Sequence, residues 1–283
     1  MTLLHITILA LIQGITEFLP ISSQAHLILV PVLTGWQDQG LIIDVAVHVG
    51  TLGAVVLYFR RDLGLMLVAV ARLIIGQSGP GTKLVVNLAV ATVPVLVAGY
   101  LVQRYAGGSL RSAALIGWTT LGFGVLLYVA DRLSLTIRRI EHMKLGAALA
   151  IGLAQVLALV PGTSRSGITM TAARLSGFER TEAARFSMLL SIPVILGAGV
   201  LSGLELYEVA DARLTVTAAA AAVLAFGAAL AAIAFLMRWL RSATFTPFVI
   251  YRVLLGIGLL VWVYFDRIEP IFLQLWAGIG LQA

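Results

Sequence analysis

The chain has 283 residues, 60% hydrophobic and 11% charged, with no cysteine and a formal net charge of +6. Its mean hydropathy is +1.02, whereas a soluble domain is about 25% charged; this excludes a soluble protein and predicts a single integral membrane domain, 1–283. Disulfides are excluded, and the positive charge does not argue for nucleic acid, because membrane proteins gather Lys and Arg in cytoplasmic loops.

Residues 1–34 hold two apolar pieces split by the polar segment TEFLPISSQAH, 16–26. Neither piece reaches the ~20 residues that a spanning helix needs, so the pattern predicts a re-entrant helical hairpin. Residues 41–59 predict a full span that ends at Arg60 and Arg61. Residues 63–76 are apolar but short, carry Arg72 and read as interfacial. Residues 84–103 and 110–130 predict full spans. Residues 145–176 predict a second broken hairpin, whose tip reads PGTSRSG, 161–167. Spans follow at 183–203, 214–237 and 246–265; the alanine-rich 214–237 suits close helix packing. The tail 270–283 is apolar and too short to place. The start of the chain lacks the marks of a signal peptide.

Most of the nineteen Lys and Arg residues fall in the segments 60–83, 131–144, 174–185 and 238–241. Arg104, Arg111, Arg213 and Arg267 fall on the opposite side, where the loop 204–213 is mainly acidic. With the basic side cytoplasmic, the N-terminus lies outside and every full span alternates. The first hairpin then enters from the outer face and the second from the cytoplasm. The expected fold is an all-α polytopic membrane protein with about six full transmembrane helices. It has inverted-topology repeats, about 1–103 and about 145–265, whose two opposed re-entrant hairpins meet near the midplane. Aligning Pro20 with Pro161 puts Ser23 opposite Ser164.

Both tips carry polar groups that are costly at membrane depth. The first offers Gln13, Glu17, Ser22, Ser23 and His26; the second offers Gly162, Thr163, Ser164, Arg165, Ser166 and Thr169. Free N–H groups, hydroxyls and a guanidinium suit an anion, phosphate above all. The set holds a nucleophile (Ser23 or His26), an acid or base (His26 or Glu17) and an oxyanion clamp in Arg165. Ser23 and His26 share a helix face, three residues apart. Serine attack with His26 as general base is preferred over direct attack by His26, and a water held by Glu17 is the third route. Glu17 is also a candidate ligand for a hard divalent cation, which prefers oxygen donors. Asp44 and His48 read equally as a rim of the site and as a structural pair. Arg252, in the last span, is expected to pair with another helix.

At these residues the chain resembles the undecaprenyl-diphosphate phosphatases, also called bacitracin-resistance proteins. Gln13, Glu17, Phe18, Leu19, Pro20, Ser22, Ser23 and His26 match the family's first motif, and Pro161 through Thr169 match its PGxSRSGxT motif. DVAVHVGTLGAV (44–55) and PFVIYR (247–252) extend the resemblance over nearly the whole chain. It implies removal of the terminal phosphate from undecaprenyl diphosphate, a C55 polyprenyl diphosphate. The product is the monophosphate carrier of peptidoglycan synthesis. It also implies a divalent cation, magnesium or calcium, and a site reached from the outer face of a bacterial inner membrane. Two departures stand out. Gln13 replaces a Glu of the motif, and Asp44 and His48 stand where other members often have Glu and Gln. The expected partners are the lipid substrate and membrane lipid; a homodimer is among the expected assemblies. The second functional reading is a polyprenyl-phosphate carrier or flippase using the same headgroup site.

Overall fold

A computed structural model gives the fold. It describes residues 2–105, 112–134, 138–206 and 212–278, with side chains over the same ranges except 200–215 and beyond 265. The elements are α1 (Leu3–Thr16), α2 (Ser23–Thr34), α3 (Gly40–Tyr58), α4 (Arg60–Ile74), α5 (Thr82–Tyr105), α6 (Ala113–Leu133), α7 (Leu145–Val156), α8 (Arg165–Leu175), α9 (Arg180–Leu206), α10 (Ala212–Trp239) and α11 (Thr246–Gly278). Among the described residues there is no strand. Six helices, α3, α5, α6, α9, α10 and α11, are long and apolar enough to cross a membrane. They fall on the six spans expected from the sequence. Residues 207–211 of the loop 204–213, which include Glu208 and Asp211, and Arg111 lie outside the described residues. Part of the tail that had no place, 270–278, continues α11.

α4 has only Ala69 buried and carries Asp62 in its first turn and Arg72 in its last, as an interfacial helix should. Each predicted hairpin is a pair of short helices joined by a buried turn. α1 and α2 flank residues 17–22; α7 and a single 3-10 turn (Leu157–Leu159) lead to residues 160–164 and then α8. Each turn ends in a serine cap. Ser22 has φ 74 and its side chain accepts from the Ala25 N–H; Ser164 has φ 71 and accepts from the Gly167 N–H. They are the only non-glycine residues at positive φ among those described. The caps therefore equate Ser22 with Ser164 and Ser23 with Arg165, one residue off the proline alignment. Proline marks where an apolar run ends; the cap fixes where the next helix begins.

The two hairpins pack crosswise. α1 lies on α10, and α7 lies on α5. Both seams rest on a glycine: a Cβ on Gly14 would sit 2.6 Å from the Ala225 carbonyl, and one on Gly152 would sit 2.6 Å from the Ala91 carbonyl. The alanines of α10 let α1 and α3 approach in this way. α3 and α9 meet at the centre, and α6 pairs with α11. α9 is the least apolar span, with mean hydropathy 1.3, and is half buried; it can carry polar residues because protein rather than lipid surrounds it. Exposed leucines such as Leu67, Leu153 and Leu254 cover the outside.

The arginine-rich ends of the helices are tied by ion pairs. Asp131 of α6 accepts from Arg174 at 3.0 Å and Arg180 at 2.8 Å, and Arg185 of α9 pairs with Asp62 of α4. Arg174, counted with a loop in the sequence, instead belongs to α8 and is buried.

Candidate active site

Glu17, the residue that caps the C-terminal end of α1, is the hub of the site. Its Oε1 accepts from Arg165 Nη2 at 3.0 Å. Its Oε2 accepts from Ser23 Oγ at 2.7 Å and from Gln13 Nε2 at 3.0 Å, with His48 Nε2 3.9 Å away. Arg165 also donates from Nη1 to the Ser187 carbonyl at 3.1 Å and lies over the Phe18 ring. A carboxylate that is 8% exposed is kept by this donor set; unpaired burial would cost several kcal/mol. The first residues of α2 and α8, Ser23 and Arg165, thus face each other across Glu17. Two helix N-termini, whose first N–H groups have no partner inside their helix, converge there.

A cavity of about 550 Å³ opens beside this hub. Glu17, Ser22, Ser23, Ser164, Arg165 and His48 line its polar part at the hub, and Asp38, Gln39 and Asp44 line it further out. Leu27, Val45, Val49, Leu52, Val194 and Ile195 form an apolar wall from α2, α3 and α9. The arrangement suits a charged head with a hydrocarbon tail.

The other expected residues stand behind this lining. Ser166 Oγ donates to the Leu19 carbonyl at 2.9 Å and so joins the two turns. Thr169 Oγ1 bonds to Ser187 Oγ at 2.7 Å and to the Arg165 carbonyl at 2.8 Å, which holds the start of α8. Gly162 sits at φ +91, where a Cβ would crowd the Ile116 carbonyl at 2.8 Å. Thr163 is fully buried and its hydroxyl has no partner among the described residues. Gln13 is fully buried, and its Oε1 likewise has none among them.

Ser23 and His26 are not joined. Ser23 bonds to Glu17, whereas His26 bonds through Nδ1 to the Ser22 carbonyl at 2.7 Å and through Nε2 to the Tyr251 hydroxyl at 2.5 Å. His26 is not among the side chains that line the cavity. Of the pair left open in the sequence, His48 faces Glu17; its Nδ1 bonds to the Asp44 carbonyl at 2.7 Å, and the Asp44 carboxylate accepts from Gln39 at 2.8 Å.

Arg252 meets another helix, as expected, and both turns as well. Fully buried, it donates to the backbone carbonyls of Thr120 at 3.1 Å and Thr119 at 3.5 Å on α6, Pro20 at 3.3 Å, and Gly162 and Thr163 both at 3.0 Å. It holds both turns at once. Its only sequence signal was an arginine inside an apolar span.

Among the described residues no group of three His, Asp or Glu side chains converges as a ready metal site. The donors at the hub still fit a hard cation in company with a phosphate. Glu17 is a carboxylate, Ser23 a hydroxyl, and the Gln13 side-chain oxygen is buried without a partner among the described residues, all oxygen donors of the kind magnesium and calcium prefer.

The family model described as "Bacitracin resistance protein BacA" matches residues 6–258. "Undecaprenyl-diphosphatase 1" of Rhodospirillum rubrum is 54% identical over 271 residues, covering 93% of this chain and 96% of that protein. "Undecaprenyl-diphosphatase" of Dinoroseobacter shibae is 54% identical over 267 residues, covering 93% of this chain and all of that protein. The Hahella chejuensis protein of the same name is 51% identical over 265 residues, covering 93% and 99%. A match of this length and identity leaves one placement: the chain belongs to the bacitracin resistance protein BacA family.

Proposed function

We propose that the protein is a membrane phosphatase that hydrolyses undecaprenyl diphosphate to undecaprenyl phosphate and inorganic phosphate, recycling the lipid carrier. The observation that carries this is the Ser23–Glu17–Arg165 chain on the wall of a cavity with one polar and one apolar side. A hydroxyl hydrogen-bonded to a carboxylate is an activated nucleophile. A carrier or flippase for the same lipid needs the cation and the N–H groups but has no use for that bond.

The reaction follows from the geometry. The diphosphate enters between the N-termini of α2 and α8, with its prenyl chain along the α2, α3 and α9 wall. Ser23 Oγ attacks the terminal phosphorus and its proton passes to Glu17 Oε2. The bond from phosphorus to the bridging oxygen breaks, and its electron pair leaves with undecaprenyl phosphate. Water then attacks the phosphoserine, the Ser23–phosphorus bond breaks, and Glu17 returns a proton to Ser23 Oγ while the water's proton leaves with the phosphate product. Arg165 and the helix N-termini stabilise the charge that gathers on the equatorial oxygens. Here Glu17 takes the base role that helical spacing assigns to His26. Glu17, Ser23 and the Gln13 carbonyl oxygen would hold a magnesium or calcium ion, which when bound neutralises diphosphate charge.

The sidedness is also our reading. The cavity is lined by residues 41–52 of α3 and 194–199 of α9, away from the ends that carry Arg60, Arg61 and Arg180. With the basic ends cytoplasmic, the cavity opens to the outer face of the inner membrane. The α1–α2 and α7–α8 pairs are then re-entrant hairpins from opposite sides, and the chain is two inverted repeats; the matched serine caps and the crosswise packing support this.

The test is phosphate release from a polyprenyl diphosphate by the purified protein, with and without a chelator. Wild-type protein that binds the lipid but releases no phosphate under either condition, with or without added magnesium, would favour the carrier.

A further inference from the structure

Two neighbouring residues of α11 reach the first turn. Arg252 takes the Pro20 carbonyl at 3.3 Å. Tyr251 takes His26: its hydroxyl lies 2.5 Å from Nε2, with the rings within 13° of parallel and their centroids 5.7 Å apart. The other ring nitrogen lies 2.7 Å from the Ser22 carbonyl oxygen. A carbonyl oxygen only accepts, so Nδ1 carries a hydrogen. In the neutral ring Nε2 is then bare and accepts from the tyrosine hydroxyl. Both nitrogens are spent, and the ring lies off the cavity lining.

What this arrangement holds is Ser22, a non-glycine residue at φ 74. That backbone conformation is costly for a residue with a Cβ, and it persists only where neighbours fix it. The next residue is Ser23, whose hydroxyl meets Glu17 at 2.7 Å. A small rotation at Ser22 swings that hydroxyl away from both Glu17 and the phosphorus.

We propose that Tyr251 is a positioning residue of the hydrolysis, acting through His26: together they hold the Ser22 carbonyl and so the turn that presents Ser23 to Glu17. His26 exchanges no proton with the substrate. This rests on the phosphatase reading above.

The experiment uses the full-length protein in detergent, with a polyprenyl diphosphate as substrate. Tyr251→Phe keeps the ring stack and removes one neutral hydrogen bond. It lowers kcat roughly two- to tenfold and leaves KM and the shape of the pH–rate profile unchanged. His26→Gln keeps a donor for the Ser22 carbonyl and an acceptor for Tyr251 without a titrating group. It stays within roughly tenfold of wild type, whereas His26→Ala falls further. Nitrogen-15 histidine NMR shows the hydrogen on Nδ1 of His26, and this signal shifts in Tyr251→Phe. A folded His26→Gln protein as inactive as His26→Ala overturns the proposal, as does a pH–rate limb that moves in Tyr251→Phe. A hydrogen on Nε2 rather than Nδ1 overturns it too. If His26→Gln does not fold, the Tyr251→Phe profile and the NMR decide. Wild-type protein without phosphate release defeats the phosphatase reading instead, and the NMR still tests the Tyr251–His26 arrangement.

Discussion

Glu17→Gln separates the chemical role of the hub from its structural one. The new amide keeps the shape of the carboxylate. Its oxygen can accept from Arg165 as Glu17 Oε1 does at 3.0 Å. Its NH2 falls where Oε2 stood, facing the Ser23 hydroxyl, which can turn to accept. Gln13, which donates to Oε2 in the native protein, can turn its amide over and offer its Oε1, which has no partner among the described residues. Every hydrogen bond therefore has a replacement, and the loss is the carboxylate charge. It leaves Arg165, whose side chain is 13% exposed, without its counter-ion, which costs about 3 kcal/mol of stability. The proton acceptor for Ser23 is gone entirely, and a positioned general base is worth roughly 10²–10⁴ in rate, or about 3–5 kcal/mol. The expected result is a protein that still folds with a thermal midpoint lowered by roughly ten degrees, KM unchanged or lower, and kcat down by that factor. Phosphate release and a thermal melt on the same preparation measure both. Turnover within tenfold of wild type in the folded variant would refute Glu17 as the base.

Arg165→Lys is expected to lose roughly 10²–10³ in kcat, because one ammonium cannot bridge Glu17, the Ser187 carbonyl and a phosphate together; near-normal turnover would leave Arg165 only a structural partner of Glu17. Arg252→Met strips a donor from four or more buried carbonyls and is expected to cost about 3 kcal/mol or more; an unchanged thermal midpoint would show that the two turns hold without it. Gly162→Ala meets positive φ and the Ile116 carbonyl, so it should destabilise by more than about 1 kcal/mol, read in the same melt. Cysteines placed singly at exposed Gln37 and Arg139 in this cysteine-free chain should be labelled in intact cells at 37 and not at 139; labelling of 139 from outside would reverse the orientation.

The spans and the two interrupted hairpins were legible because apolar run length is a one-dimensional signal. Glu17, Ser23 and Arg165 were legible because ionisable and hydroxyl groups at membrane depth have few bland explanations. The partner of Ser23 was not. Three-residue spacing made His26 the natural choice, yet the turn at Ser22 bends the chain so that Ser23 faces back towards Glu17, and His26 faces α11. Tyr251 is 225 residues away in sequence from His26, and no local pattern encodes that meeting. The one-residue shift of the internal alignment was hidden for a related reason: Pro20 lies two residues before its cap and Pro161 three before its own, so the prolines are not equivalent points. His48 was seen but not placed, since helical spacing shows which face it shares with Asp44 and not what that face meets.

The crosswise packing of the hairpins bears on why the two tips differ. A pair of identical subunits related by a two-fold axis would put like opposite like, serine facing serine or arginine facing arginine. Within one chain the two positions that follow the serine caps need not match. Ser23 and Arg165 hold them: one is a hydroxyl on a carboxylate and the other is the cation across from it. Asymmetry of this kind is what an attack on phosphorus requires, with the nucleophile on one side and the charge clamp on the other. A shared backbone plan supplies the precision of the meeting, and the unlike side chains supply its direction.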